Sequence, residues 1–257
     1  MPRVKLIAAE RGGDKYWILS LQDQITGQKW QQDARYLVNA AGPWVQDILG
    51  ETLRLNLADA VRLVRGSHLV VKRQYENDKA YFFLGKDGRI IFAIPYEQDF
   101  TLIGTTDVAH DAVHTNPVCT DEEQEYFHKF ASEYFKNPIT RADIIWQYSG
   151  FPPLYEDGEN AASSLTRDYV LRVDSSSKPI VTIISGKITT YRKLAESALS
   201  KITPFFELPD KPWTAHTVLP RWDFEVVEFA YFIKKLMQNY SYLSFEWARR
   251  LIRLYGT

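Results

Sequence analysis

With 257 residues, 45% of them hydrophobic, the chain can bury a sizeable core, and its length corresponds to one or two domains. Its 31 basic residues balance 32 acidic ones for a formal net charge of -1, which gives no general attraction for nucleic acid or an anionic membrane; any anion site is local. A lone cysteine, Cys119, excludes an intramolecular disulfide and a cysteine-rich zinc site, fits a reducing compartment, and is expected as a small buried side chain.

The chain opens on a strand-like run, too short in its apolar part for a signal peptide, and such an opening is expected of a piece of a larger domain. No run of about 18 apolar residues follows anywhere. The first 42 residues read as a β-meander, with strands at 4–9, 16–22 and 28–31 separated by Arg11-Gly12-Gly13-Asp14 and Ile25-Thr26-Gly27. An apolar strand within Ala34 to Trp44 then runs into small residues, and Pro43 marks a helix start. Apolar runs at 61–64, 68–71, 80–84, 89–94 and 101–103 predict an antiparallel sheet. Thr120 and Glu123 form a capping-box pair, and Tyr126, Phe127, Phe130, Ala131 and Tyr134 share one face, so a helix with a core-packing stripe is predicted over 121–136.

Strands at 144–149, 168–173 and 180–185 come next, then a helix over 191–202 with Leu194, Ala198 and Ile202 on one face, ended by Pro204. Beyond Pro212 the chain turns to aromatic-rich helix. A helix over 224–238 carries Val226, Ala230, Ile233 and Met237, and Ser244 caps a last one that aligns Trp247, Leu251 and Leu254. Two such helices are expected to need a partner layer.

The strongest local feature is Ser185-Gly186-Lys187-Ile188-Thr189-Thr190-Tyr191-Arg192-Lys193, a turn from a buried strand into a helix. Such a turn aims backbone N–H groups at one point and binds anions. Three cations in or beside the first turn oppose the helix dipole, so either a negative group sits there or the long side chains splay into water. It is not a P-loop, because no glycine stands five residues before Gly186. The small residues of Asn39-Ala40-Ala41-Gly42-Pro43 let a backbone approach a cofactor closely, as an ordinary strand-to-helix turn also does. His68 either transfers protons or is a satisfied structural residue. Asp107 closes a turn or acts in the same site. Arg167 binds a phosphate or pairs with Asp168 at the surface. His110, His114, His128 and His216 show no metal-ligand spacing, and no metal is expected.

Taken in order, Leu37 to Trp44, Arg65-Gly66-Ser67-His68, Ile103 to Asp107, Trp146 to Gly150, Leu165 to Tyr169 and Gly186 to Glu196 resemble the FAD-dependent, respiratory glycerol-3-phosphate dehydrogenase family over nearly the whole chain. The resemblance implies a mixed α+β and α/β fold: the remainder of an FAD-binding Rossmann-like domain of the D-amino-acid-oxidase-like class at 1–59 and 150–203. A substrate-covering antiparallel sheet is inserted at 60–149, and a C-terminal helical domain begins at 204–257. It implies oxidation of sn-glycerol 3-phosphate to dihydroxyacetone phosphate, with FAD as cofactor and electrons passed to quinone. His68 and Lys187 would be the catalytic residues, with Arg167 and Lys187 on the substrate phosphate. Ala41, Gly42, Gly186, Lys187, Ile188, Thr189 and Thr190 would touch the FAD.

Two departures stand out. Where the family pattern has Ser-Gly-Val-Arg-Pro-Leu, this chain reads Ser149-Gly150-Phe151-Pro152-Pro153-Leu154, so Pro152 replaces an arginine and brings neither charge nor donor. The Gly-x-Gly-x-x-Gly fingerprint that seats the FAD pyrophosphate does not occur in these 257 residues. The resemblance therefore implies a central to C-terminal part, inactive alone, that partners the N-terminal part of the same protein. A protein peripheral to the cytoplasmic face of the inner membrane is expected, with a homodimer as one option, and Lys234, Lys235, Arg249, Arg250 and Arg253 either face lipid or, as on ordinary helices, are a solvated basic face. Two alternatives stand beside it: an oxidase that passes electrons to oxygen, and a non-catalytic binding or assembly module on the same fold.

Overall fold

The computed structural model describes residues 2–13, 16–55, 61–110, 116–155, 168–175, 178–208, 211–219, 221–222 and 224–256. The chain divides into two compact units, Met1–Phe206 and Glu207–Thr257.

The first unit opens with an antiparallel meander of β1 (Val4–Gly12), β2 (Tyr16–Asp23) and β3 (Lys29–Ala34). Asp23 closes the second turn by accepting the Ile25 and Thr26 N–H groups at 2.7 and 2.9 Å. Next comes β4 (Leu37–Asn39), followed by a 3-10 turn at Gly42–Trp44, a single α turn (α1, Val45–Asp47) and a π turn at Ile48–Thr52. Pro43 stands at the start, where its missing N–H costs nothing. Ala9 and the fully buried Trp17 of the meander pack on Leu49, Leu53 and Ile180, and the Trp17 indole N–H donates to the Pro179 carbonyl at 3.3 Å.

The runs expected as two strands at 61–64 and 68–71 are one twelve-residue strand, β5 (Val61–Lys72). Arg65-Gly66-Ser67 reads as a break because it is polar, yet every one of these residues stays in the ladder. The first half of β5 pairs with β9 (Val108–His110) and β11 (Pro153–Tyr155), two short strands the apolar pattern does not signal. The second half lies between β8 (Phe100–Gly104) and β10 (Ile144–Gly150), and β7 (Ile90–Tyr96) and β6 (Tyr81–Leu84) complete the sheet.

The helix α2 (Asp121–Ser132) covers one face of that sheet through Phe127, Phe130 and Ala131, which pack on Leu69, Val71, Ile91 and Ile103. Its capping box is formed as expected: Thr120 Oγ1 accepts from the Glu123 N–H and the Glu123 carboxylate from the Thr120 N–H. It ends at Ser132, four residues short of the expected 136, and Tyr134 is half exposed beyond it. Cys119 is buried in the same core, and burial pushes its thiol up to about 11.

A third sheet, in the order β12-β13-β4, is made by β12 (Val170–Asp174), β13 (Ile180–Ile184) and β4. β13 is antiparallel to β12 and parallel to β4. β13 is buried along its length, as a strand covered on both faces should be. The helix α3 (Tyr191–Ile202) spans the expected residues and runs into a 3-10 turn at Thr203–Phe206 that contains Pro204.

The second unit holds α4 (Phe229–Asn239) and α5 (Phe245–Tyr255), with Ser244 capping the latter by accepting the Trp247 N–H at 3.3 Å. Its core is Ile233, Ala248 and Ile252, with Phe224, Phe229, Phe232, Leu236 and Met237 packed around. The expected stripes differ. Val226 lies in a 3-10 turn ahead of α4 and is 87% exposed, while Trp247, Leu251 and Leu254 face outward from α5. The small Ala248 makes the close contact instead, because it lets the two helices approach.

Candidate active site

Parallel pairing of β4 with β13, with Asn39 opposite Thr182, makes both strands leave the sheet at the same end. The two glycine-containing turns singled out in the sequence therefore sit side by side at the carboxyl ends of parallel strands, where open α/β sheets bind ligands. In the first turn Asn39 is buried and its side chain is used internally, donating to the Val45 carbonyl at 3.0 Å and accepting from the Ala41 N–H at 3.3 Å. It fixes the turn and leaves Gly42, with φ of 58° and open space where a Cβ would be, as the point of close approach.

In the second turn Ser185 and Gly186 take successive positive φ values of 64° and 121°. Lys187 is extended, and a 3-10 turn at Ile188–Thr190 leads into α3. No side chain caps this start: the Thr190 hydroxyl donates to the Lys187 carbonyl at 2.9 Å instead. The first N–H groups of the helical segment are thus open to an outside acceptor. Of the basic residues here, Arg192 and Lys193 both reach Glu196, at 2.9 and 3.2 Å. One carboxylate thus engages both cations, and the basic residue left in the turn itself is Lys187, which is exposed together with Gly186, Ile188 and Thr189. Uncapped amides, a lysine and two glycines with positive φ match the carbonyl and nitrogen acceptors along one edge of a flavin. They do not form a pyrophosphate seat.

His68 belongs to the large sheet. The registers Phe82↔Phe92, Phe92↔Gly104, His68↔Gly104 and Tyr148↔His68 put these residues in one row, on the face away from α2. The imidazole lies over Gly104, where any Cβ would collide with the ring, and stacks on Tyr148 with centroids 4.9 Å apart and planes 6° from parallel. Burial lowers its pKa below the ordinary 6.5, and its buried Nδ1 has no hydrogen-bond partner among the described residues. The ring is therefore neutral near pH 7, with unfilled capacity to bond a ligand.

On the opposite face sits a group the sequence shows only as a helix cap. Glu123 Oε1 accepts from the Ser67 and Thr106 hydroxyls at 2.9 and 2.7 Å, and Oε2 from Arg65 and the Thr120 N–H at 3.1 and 2.8 Å. Ser67, Thr106 and Glu123 are all buried. The capping-box spacing locates Glu123, but nothing local reveals that it reaches β5 and the connection after β8.

The remaining expected residues fall out differently. Arg167 lies outside the described residues, as does His114. Pro152 is exposed between β10 and β11, next to Phe151, whose ring stacks on His110 at 4.7 Å. Asp107 is described and has a partner.

Residues 3–192 match the family model for FAD-dependent oxidoreductases, and the chain belongs to that family. Within it, the chain is similar to glycerol-3-phosphate dehydrogenases. It is 37% identical to the aerobic glycerol-3-phosphate dehydrogenase of Escherichia coli strain K12 across 94% of this chain and 48% of that protein. It is 33% identical to the D-erythritol 1-phosphate dehydrogenase of Brucella abortus across 100% of this chain and 51% of that one. Its fold matches the glycerol-3-phosphate dehydrogenase from Bacillus halodurans complexed with FAD, with a TM-score of 0.81 and 27% identity over 98% of this chain and 49% of that chain. The chain spans about half the length of the relatives it matches.

Proposed function

We propose that the chain is the catalytic and substrate-covering part of an FAD-dependent dehydrogenase that oxidises sn-glycerol 3-phosphate to dihydroxyacetone phosphate. The observation that carries this reading is the parallel β4/β13 pair, which sets the Asn39–Gly42 and Ser185–Thr190 turns beside one another. In this reading 1–59 and 150–203 build the flavin domain, 60–149 covers the substrate, and 204–257 begins a helical domain.

When bound, FAD supplies the acceptor for the carbinol hydrogen. The backbone of Ala41 and Gly42 and the N–H donors of Gly186 to Thr190 would hold it. Lys187 holds the substrate phosphate or the flavin edge, with Arg167 as a second cation on the phosphate. Neutral His68 takes the hydroxyl proton as C2 becomes a carbonyl, a step its lowered pKa suits because the ring is unprotonated at the start. Electrons then pass to quinone at the cytoplasmic face of the inner membrane. No helix among the described residues is long and apolar enough to cross a membrane, which is compatible with peripheral attachment.

The test is to combine the chain with a polypeptide supplying a Gly-x-Gly-x-x-Gly βαβ unit of the same family, add FAD, and follow dye reduction. Reduction dependent on glycerol 3-phosphate is expected, with D-erythritol 1-phosphate as the competing substrate and a peroxide assay reporting oxygen as acceptor. A folded, flavin-loaded assembly that reduces no dye with either polyol phosphate sinks the reading.

A further inference from the structure

The row that carries His68 has a counterpart on the other face of the sheet. Ser67 precedes His68 on β5 and pairs with Ser149, which follows Tyr148 on β10; Thr106 lies two residues beyond Gly104, where β8 ends. Alternation along β5 and β10 puts Ser67 and Ser149 on the face opposite His68 and Tyr148, and Thr106 lies in the connection that leaves β8, so whatever fixes these three fixes the strands that present the His68–Tyr148 stack.

Glu123 is what fixes them, and the proton directions are determined. The Ser67 and Thr106 hydroxyls both donate to the Glu123 carboxylate. With its one proton so used, Ser67 can only accept from Ser149, whose hydroxyl lies 2.8 Å away. The Ser67 N–H in turn donates to Thr106 Oγ1 at 3.0 Å. Arg65 and the Thr120 N–H complete the set on the other carboxylate oxygen. Every partner of Glu123 donates, so only an acceptor on both oxygens satisfies the network.

We propose that Glu123 is a positioning residue for His68: through Ser67, Thr106 and Ser149 it sets the register and spacing of the strands that hold the imidazole between Gly104 and Tyr148. That this matters for catalysis rests on the proposed role of His68; the coupling of Glu123 to the stack does not.

The test reads the His68 ring protons by NMR in the whole 257-residue chain, where stacking on Tyr148 shifts them away from ordinary histidine positions. Glu123→Gln keeps the size of the side chain but turns an NH2 toward donors, and is expected to lose the stacking shift. Ser149→Ala cuts only the link to β10 and is expected to lose part of it. Thr120→Ala removes the helix cap while leaving the strand links, and is expected to lower Tm with His68 unmoved. Should Glu123→Gln fail to fold, Ser149→Ala decides alone. The proposal is overturned if the folded Glu123 or Ser149 variants keep the wild-type His68 signal, or if Thr120→Ala moves it equally. Failure of the dehydrogenase reading shows separately, as no dye reduction by the flavin-loaded assembly, and failure of the role of His68 as dye reduction undiminished in His68→Ala; neither touches these shifts.

Discussion

Burial would push the Glu123 carboxyl up, but the hydrogen bonds from Thr120, Thr106 and Ser67 and the charge of Arg65 outweigh it, and its pKa lies below the ordinary 4.5. Burial lowers His68 and His128 below 6.5. Both kinds of shift make the unfolded chain hold more protons than the folded one at acid pH, so stability rises with pH. The histidine contribution is complete above about 6.5 and is lost as the pH falls from there toward the folded values. The Glu123 contribution is complete above 4.5 and is lost as the pH falls through its lower folded value. Asp23, Asp87 and Asp143, lowered first by backbone N–H bonds, add to the same acid step. Thermal unfolding against pH is therefore expected to show a plateau above pH 6.5 and two declines below it. Glu123→Gln should shrink the second decline and spare the first; an unchanged acid step would contradict the carboxylate's place in the network. At the other site, the proposed contact of Lys187 with the substrate phosphate makes Lys187→Ala the loss of a charge-assisted bond of about 1.5–3 kcal/mol. At about 1.4 kcal/mol per tenfold, KM for the polyol phosphate in the assembled enzyme should rise roughly 10- to 150-fold, with a smaller change in kcat. A KM within twofold of wild type would remove Lys187 from the phosphate.

At the level of elements, legibility followed the range of the forces involved. α3 and the start of α2 were readable because caps and 3.6-residue periodicity are local, and the capping box is formed by the two residues the spacing named. β5 reads as two strands because Arg65 and Ser67 look like surface, whereas the Arg65 Nη2 and the Ser67 hydroxyl bond inside the protein to a helix residue more than fifty positions on. The glycine turns were legible as turns, but their adjacency depends on the parallel β4/β13 ladder, a pairing of residues far apart in sequence. In α5 the sequence pattern points to the outer face: Trp247, Leu251 and Leu254 dominate it by size, while Ala248 and Ile252 make the contact with α4. That difference is measurable. Ile252→Ala, a buried truncation, should cost about 2–5 kcal/mol. Trp247→Ala, at a position 65% exposed, should stay within about 0.5 kcal/mol. Hydrogen exchange of the amides in 229–255 reads both, and the reverse ranking would restore the stripe suggested by the sequence.

For the molecule as a whole, the two turns at the β4/β13 edge offer backbone donors and one lysine to a flavin edge. The proposed cofactor also carries a pyrophosphate, which the family seats on a glycine-rich helix start that these 257 residues do not contain. An edge without that seat has few charge-assisted contacts to offset the freedom FAD loses on binding. FAD affinity of this chain alone should therefore be weak. A ligand present at its own dissociation constant stabilises the folded state by only about 0.4 kcal/mol, so micromolar FAD is expected to leave Tm unmoved and flavin fluorescence unquenched. Supplying the Gly-x-Gly-x-x-Gly unit as a second polypeptide should change both. A hundredfold excess over the new dissociation constant adds about 2.7 kcal/mol, a clear rise in Tm. The informative contrast is between the two titrations. Stoichiometric FAD binding by the chain alone would mean that the β4/β13 edge is a complete site, and the division of labour between the two parts would have to be abandoned.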